Sequence, residues 1–531
     1  MARINSNIPS LIAQANLKRS YGDLDVRLER LATGLRINRG KDDPAGLIIS
    51  ERLRSEIQGA SQGIKNAERA SSVIATTEAA LAEVNDLLNS IQSLMVESAN
   101  TGANSQEERD ANQLAIDSAI DSITRISNTA SFGGLKLLNG SLDYVLSGVD
   151  GANIAKARIN NATFTQNQAV GVEVDVLASA QTGRLYLPGV TPGATNGTLM
   201  SAMTIRLAGP EGVQELSFTS GTTFASVVTA VNRLTAFTGV EASLIDPANA
   251  SSGLVFTSSR FGSEAFVAVE RIDRPQSAAI DQFKLFKFDP GTQLGDYGDP
   301  GVDFPWGNVT TGGAPTPPLR SGAVRDIGQD VAALVNGNLA TGRGLEIKLS
   351  SPDLGIELLL DQDFATRPGG GSTTFFVTSG GSTFQLGPSI TPLQQTNIGI
   401  QSVAASQLGG TLINGNLQFL SSLKDGQGNS IRDALDRGDF TPSQEILRAA
   451  IDEISVLRGR LGAFERNILE PNVRSLQAAV ENLSASESRI RDADFAFETS
   501  RLTRAQILAS SGTTVLGLAN QQSQQVLQLL G

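Results

Sequence analysis

Apolar residues recur at spacings of three and four along both ends of the chain and alternate with polar ones in its middle. Near the N-terminus, Leu17, Tyr21, Leu24, Leu28, Leu31 and Leu35 are spaced 4-3-4-3-4, which is a heptad seam. A second helix is predicted from Asp43-Pro44. Asp43 suits the N-cap, and Pro44 suits the first helical position, where a missing N–H is not needed. Its late seam of Leu81, Val84, Leu88, Ile91 and Met95 carries it to about Asn100, a rod of roughly 80 Å at 1.5 Å per residue. A third helix opens on Ser105 and Glu108 as a capping box, continues through Ile116, Ile120, Ile123 and Ile126, and stops at Phe132-Gly133-Gly134.

The C-terminal end mirrors this. Thr441-Pro442-Ser443-Gln444 offers an N-cap, a first-turn proline and a capping glutamine. The seam Ile454, Leu457, Leu461, Phe464, Ile468 follows. Pro471 is expected to kink the helix before Leu469, Val473, Leu476, Val480 and Leu483 resume the pattern. Ser484 and Glu487 are expected to open a final segment. There Leu502, Ala505, Ala509, Gly512, Leu516, Ala519, Ser523, Val526 and Leu530 repeat to the end. Several of these positions are small, so a partner helix could approach closely.

The middle reads as β. GVEVDVLASAQ near 171–181, MTIRLAG at 203–209 and LEIKLSS at 345–351 alternate apolar and polar residues. A short helix feeding a strand is predicted in TTFASVVTAVNRLTAFTGVEASL. The expectation is one or two small α+β or β lobes. Of the 19 prolines, 15 lie in 141–400, so the ends suit helices and the middle suits turns. The stretch at 288–320, with the only tryptophan, Trp306, reads as a long loop or linker.

Composition narrows the chemistry. The 531 residues include no Cys and no His. That removes disulfides, thiolate zinc sites, iron–sulfur clusters, His-dependent triads and HExxH proteases. A net charge of −12 argues against non-specific nucleic-acid binding. No run of 18 apolar residues spans a membrane, and MARINSNIPSLIAQANLKRS lacks the apolar core of a leader. Residues 505–531 carry no charge, and Gln521, Gln522, Gln524 and Gln525 argue against burial in lipid. That segment is expected to be buried in the protein's own core or between copies of it. Asp42-Asp43, Glu107-Glu108 and Asp492/Asp494 could serve carboxylate catalysis, but each sits at a helix start or on an exposed face. There is no P-loop, no GxGxxG in context and no calcium-loop spacing, so no cofactor, metal or catalytic site is predicted.

Two amphipathic ends, some 400 residues apart, carry seams too long to bury within one compact domain. The economical solution pairs them with each other and leaves spare faces for neighbouring copies. A heterologous contact that does not close builds a helical filament. The expected fold is mainly α at the termini, with long paired coiled-coil helices and a β-hairpin, plus a β-rich or α+β central insertion. The expected interface positions are Leu17, Leu24, Leu28, Leu31, Leu35, Leu502, Ala509, Leu516, Ala519, Val526 and Leu530.

The ends resemble bacterial flagellin. The resemblance rests on RINSNIPSLIAQANL, LERLATGLRINRGKDDPAGLIISERLRSEIQGASQGIKNAERASSVIATTEAAL and ISNTASFGGLKLLNG at the N-terminal end. At the other end it rests on RGRLGAFERN, ENLSASESRIRDADFAFETSRLTRAQIL and ANQQSQQVLQLLG. It covers about half the chain, in several long motifs in the right order. Residues 222–270 also resemble the insertion module of flagellins and hook-associated proteins.

That resemblance implies a non-enzymatic structural subunit that polymerises with itself into the flagellar filament used for swimming. It implies three domains. Residues 1–44 with 486–531 would form the innermost coiled coil, 45–180 with 400–485 a helical rod with a β-hairpin, and 181–399 a surface region. It implies secretion through the flagellar export channel to an extracellular filament. The implied partners are an export chaperone at the C-terminal helix, the filament cap and the hook-associated proteins; nucleic acid and membrane are not among them.

The sequence also departs from the family pattern. Ser523 stands where the family usually has Pro, and Pro471 is unusual at a helical site. The segment LNSIQSLMVESAN matches the stretch bound by the vertebrate flagellin-sensing Toll-like receptor. Ser90 replaces a family Arg there, Glu97 replaces a Gln, and Leu94 is retained, which implies weakened recognition. The nearest rival is the hook–filament junction protein, whose ends are similar; SRIRDADFA and VLQLL favour flagellin itself.

Overall fold

The computed structural model describes residues 7–164, 169–188, 197–199, 201–273, 285–288, 319–321, 323–351, 353–367, 371–413 and 415–528. Trp306 and Leu530 lie outside these residues, as does the side chain of Val526. The chain forms two compact units, 1–71 with 384–395 and 464–531, and 72–383 with 396–463.

Seven helices carry the architecture: α1 (Ile8–Thr33), α2 (Pro44–Ser98), α3 (Gln106–Thr129), α4 (Phe224–Asn232), α5 (Thr441–Phe464), α6 (Glu470–Arg491) and α7 (Phe495–Gln528). Their ends follow local chemistry. The Asn7 side chain accepts from Ser10 N–H at 3.1 Å, and Gly34 stops α1 in the left-handed region at φ 72°. Asp43 caps α2 through Gly46 N–H at 2.9 Å, and α3 opens on the Ser105/Glu108 capping box.

Two C-terminal details differ from expectation and a third refines it. Helix α5 begins at Thr441, with Gln444 N–H donating to the Phe440 carbonyl, while Ser443 Oγ donates to the Asn429 carbonyl. Ser484 and Glu487 lie inside α6, and Asp494, which accepts from Phe497 N–H at 3.0 Å, caps the last helix. At Pro471, where a kink is expected, the helix continues with its regular ladder interrupted. A π-turn over Glu465–Leu469 joins α5 to α6 and widens the ladder just before the proline ring. The extra residue shifts the apolar phase, so Leu469 is 1% exposed and Ile468 is 40% exposed.

In the first unit, α6 lies against α2 through Leu476 and Gly63, and Arg491 pairs with Glu51 at 2.7 Å. In the second, the late α2 seam (Leu81, Val84, Leu88, Ile91, Met95) is buried, as are Ile116, Ile120 and Ile123 of α3 and Ile454, Leu457 and Leu461 of α5. The second unit also contains two nested pairs of sheets. One pair joins a five-stranded sheet (Asn338–Leu339, Ala332–Val335, Val170–Ala178, Thr373–Gly380, Tyr144–Ser147) to a four-stranded one (Thr341–Arg343, Glu346–Ser350, Leu354–Leu360, Ile154–Ala162). Val172, Val174, Ile347, Ile356, Leu358 and Phe375 fill the space between them. The other pair uses strands between 184 and 327, with α4 packed on Ile205, Leu207, Val240 and Phe256. Strands on both sides of position 180 therefore share the first pair of sheets.

Lys156 and Arg158 tie this β region to α5 through Glu453, at 2.6 and 2.5 Å. Burial lowers the Lys156 ammonium even against the attraction of Glu453. The neighbouring Glu357 accepts from Lys348 at 2.5 Å. Its burial would raise the carboxyl, but the Lys348 hydrogen bond and the nearby cations hold it below the usual range.

Candidate assembly surface

The chemistry-bearing feature is the pair formed by α1 and α7 in the first unit. Their contacts run in opposite order along the two helices, so the pair is antiparallel. Arg36 N–H donates to the Arg491 carbonyl at 2.7 Å and Ala493 N–H to the Gly34 carbonyl at 2.9 Å. Next come Arg27 and Arg30, both on Glu498. Gly512 then faces Leu17, where an added Cβ would stand 3.0 Å from Leu17 Cδ1. At the far end Ser10 Oγ and Asn520 Oδ1 are 2.7 Å apart, and Asn7 Nδ2 donates to the Ala519 carbonyl at 3.0 Å.

The seam is narrow and built of small residues. Ala13, Ala505 and Ala509 are buried between the two helices. Leu17, Leu24, Leu31, Leu35, Leu502, Leu516 and Ala519 are half-buried, and Leu28 is exposed. Two helices side by side can cover only one stripe of each other, and the rest of their apolar surface stays in water. Ile8, Leu11, Ile12 and Tyr21 of α1 are exposed, as are Phe495, Phe497, Ile507, Leu508, Val515 and Leu518 of α7. Exposed apolar side chains in this number on one helix pair make it a candidate interaction surface.

Polar specificity in the pair comes from Glu498, a residue the periodicity did not single out. Its side chain is 4% exposed and accepts from Arg27 at 2.9 Å and Arg30 at 3.0 Å. Burial alone would push the carboxyl up, but the hydrogen bonds from Arg27 and Arg30 outweigh it and hold it below its ordinary value. A charge on an otherwise uncharged stripe, matched by arginines one helical turn apart on the other end of the chain, was the available signal.

On α2, Ser90 and Glu97 are exposed and Leu94 is half-buried beside the core residues Ile91 and Met95. Among the described residues, no group of three or more acidic side chains could hold a metal ion, and no helix is long and apolar enough to cross a membrane.

Comparison with known proteins agrees at both ends. The family model for the bacterial flagellin N-terminal helical region matches residues 4–143, and that for the C-terminal helical region matches 445–530. The flagellin of Salmonella typhimurium strain LT2 is 29% identical over 99% of both chains. Flagellin 1 of Proteus mirabilis is 36% identical over 38% of this chain and 54% of its own length. Among solved structures, the flagellar cap protein FliD of Escherichia coli covers 50% of this chain and 65% of its own at 17% identity, with a TM-score of 0.25.

Proposed function

The chain belongs to the bacterial flagellin family and is a structural subunit of the self-assembling flagellar filament, and from that premise we propose that the antiparallel α1/α7 pair is the part that makes the polymer. The observation that carries this reading is the number of large apolar side chains that the pair leaves exposed among the described residues. In the filament, neighbouring copies would bury it. That burial, at about 25 cal/mol per Å² of apolar surface, offsets the entropy lost when the termini are ordered.

On this reading, 1–44 with 486–531 forms the innermost layer and 45–180 with 400–485 and then 181–399 lie outside it, the last two joined by the sheets shared across position 180. Half-buried Leu17, Leu24, Leu31, Leu35, Leu502, Leu516 and Ala519 set the register of the pair, and exposed Leu28 meets a neighbour. The subunit leaves the cell through the flagellar export channel, its C-terminal helix held by a chaperone beforehand. The filament cap and the hook-associated proteins meet it at the filament's ends. Exposed Ser90 and Glu97 weaken recognition by the vertebrate flagellin-sensing receptor, because the side chains facing outward there are not the family's.

Seeded growth tests the central claim. Purified subunit added to sheared filament fragments should extend them into long tubes of uniform diameter under negative-stain electron microscopy. A subunit lacking 505–531 should fail to extend them while its β region stays folded. Normal extension by the truncated chain would refute the assignment.

A further inference from the structure

The two most exposed large apolar side chains among the described residues lie on neither terminal helix. Leu393 is 97% exposed and Ile390 is 88% exposed, in the turn at 386–394 of the first unit. This turn is built rather than loose. Leu386 N–H donates to the Gln394 carbonyl at 2.9 Å, and Gln394 N–H to the Thr391 carbonyl at 3.0 Å. The Gln394 side chain accepts from Ser389 N–H at 2.6 Å, and Gln385 Nε2 donates to the carbonyls of Gly387 and Ser389 at 2.9 and 2.8 Å. The turn is also clamped on α2. Leu386 is buried over Gly63 and Pro388 sits on Gly59, while Asn66 donates to the Gln385 carbonyl at 3.1 Å. A network of hydrogen bonds therefore holds two aliphatic side chains in water, where by themselves they gain nothing.

We propose that the Ile390–Leu393 turn is a preformed apolar knob that seats in a second copy of this chain within the filament. The proposal rests on the filament reading above. Three observations select a second copy as the occupant. The knob belongs to the same unit as the terminal helix pair, the unit through which the chain is proposed to polymerise. Residues 368–423 contain no Asp, Glu, Lys or Arg, which suits the charge-depleted centre of a protein interface and gives a charged partner nothing to read. A heterologous polymer contact joins different patches of one molecule, and this unit carries further exposed apolar side chains, Phe495 and Phe497 among them, away from the knob. Rigid presentation also lowers the ordering cost of seating the knob.

The test uses the full-length chain and wild-type filament seeds. The double substitution Ile390→Ser with Leu393→Ser touches side chains with almost no contacts, so the monomer's circular dichroism and melting should not change. Its critical concentration for elongation should rise at least tenfold. The chain has no cysteine, so Leu393→Cys gives a single attachment point for a polarity-sensitive dye. Its emission should shift to the blue when the labelled subunit enters a filament. An unchanged critical concentration, or a dye as wet in the filament as in the monomer, overturns the knob and leaves the filament reading intact. If wild-type subunit fails to extend the seeds, the filament reading falls and the knob falls with it.

Discussion

Glu498 sits between Arg27 and Arg30, and its charge state sets what the helix pair retains at a given pH. Its folded carboxyl titrates below the ordinary value of 4.5. The folded state therefore binds that proton more weakly than the unfolded chain does. The stabilisation is complete above 4.5 and is lost as pH falls through the folded value. Glu498→Gln should weaken the pair by about 2 kcal/mol at neutral pH, the scale of hydrogen bonds to a charged group. The same variant should lose much of the wild type's acid sensitivity below 4.5. Filament dissociation followed by sedimentation at pH 7 and pH 3 reads both effects; equal losses for variant and wild type at both values would contradict the assignment. Gly512 acts at the same scale, because its missing Cβ is the space that Leu17 approaches.

Helix α2 shows how one element serves two purposes along its 55 residues. Its late seam is a core stripe, and Leu88→Ala should cost the second unit about 2–5 kcal/mol, read as a lower denaturation midpoint. Its earlier part is a docking face for the 384–395 segment, made possible by glycine. A Cβ at Gly63 would stand 2.8 Å from the Leu386 carbonyl oxygen, which is too close to tolerate without movement. Gly63→Ala should therefore lift the turn. Amide exchange at 385–395 would speed up while exchange in the α2 core near Leu88 stays slow. Helices α5 and α6 carry a different lesson. Three-four spacing ends one seam at Ile468 and restarts the next at Leu469; across the π-turn before Pro471, Leu469 is buried and Ile468 is not. A periodicity argument assumes an unbroken ladder, and a proline is where that assumption fails.

At the scale of the whole molecule, the two units differ in how much apolar surface each keeps from water. The second has continuous cores in its helices and between its paired sheets. The terminal pair of the first has a stripe of alanines and an exposed apolar face. Native-state hydrogen exchange on the free subunit should find α1 and α7 opening with little free energy and the β cores opening only near the global value. After assembly, the terminal amides should become protected by orders of magnitude while the β cores change little. Terminal helices already as protected in the free subunit as in the filament would show that neighbours add nothing to them.

The sequence by itself determined the helical ends, the N-caps at Asp43 and Ser105, the late α2 seam and the β character of the middle, because each depends on spacing within a few residues. The absence of Cys and His set the limits on chemistry in the same direct way. Only the tertiary structure decided that Glu498 meets Arg27 and Arg30, that strands at 154–178 share sheets with strands at 332–377, and that the 384–395 turn rests on α2. Each of these contacts joins residues from about 155 to 470 positions apart. No periodicity reports such pairs, since they form only when burial of several seams at once brings distant segments to one place.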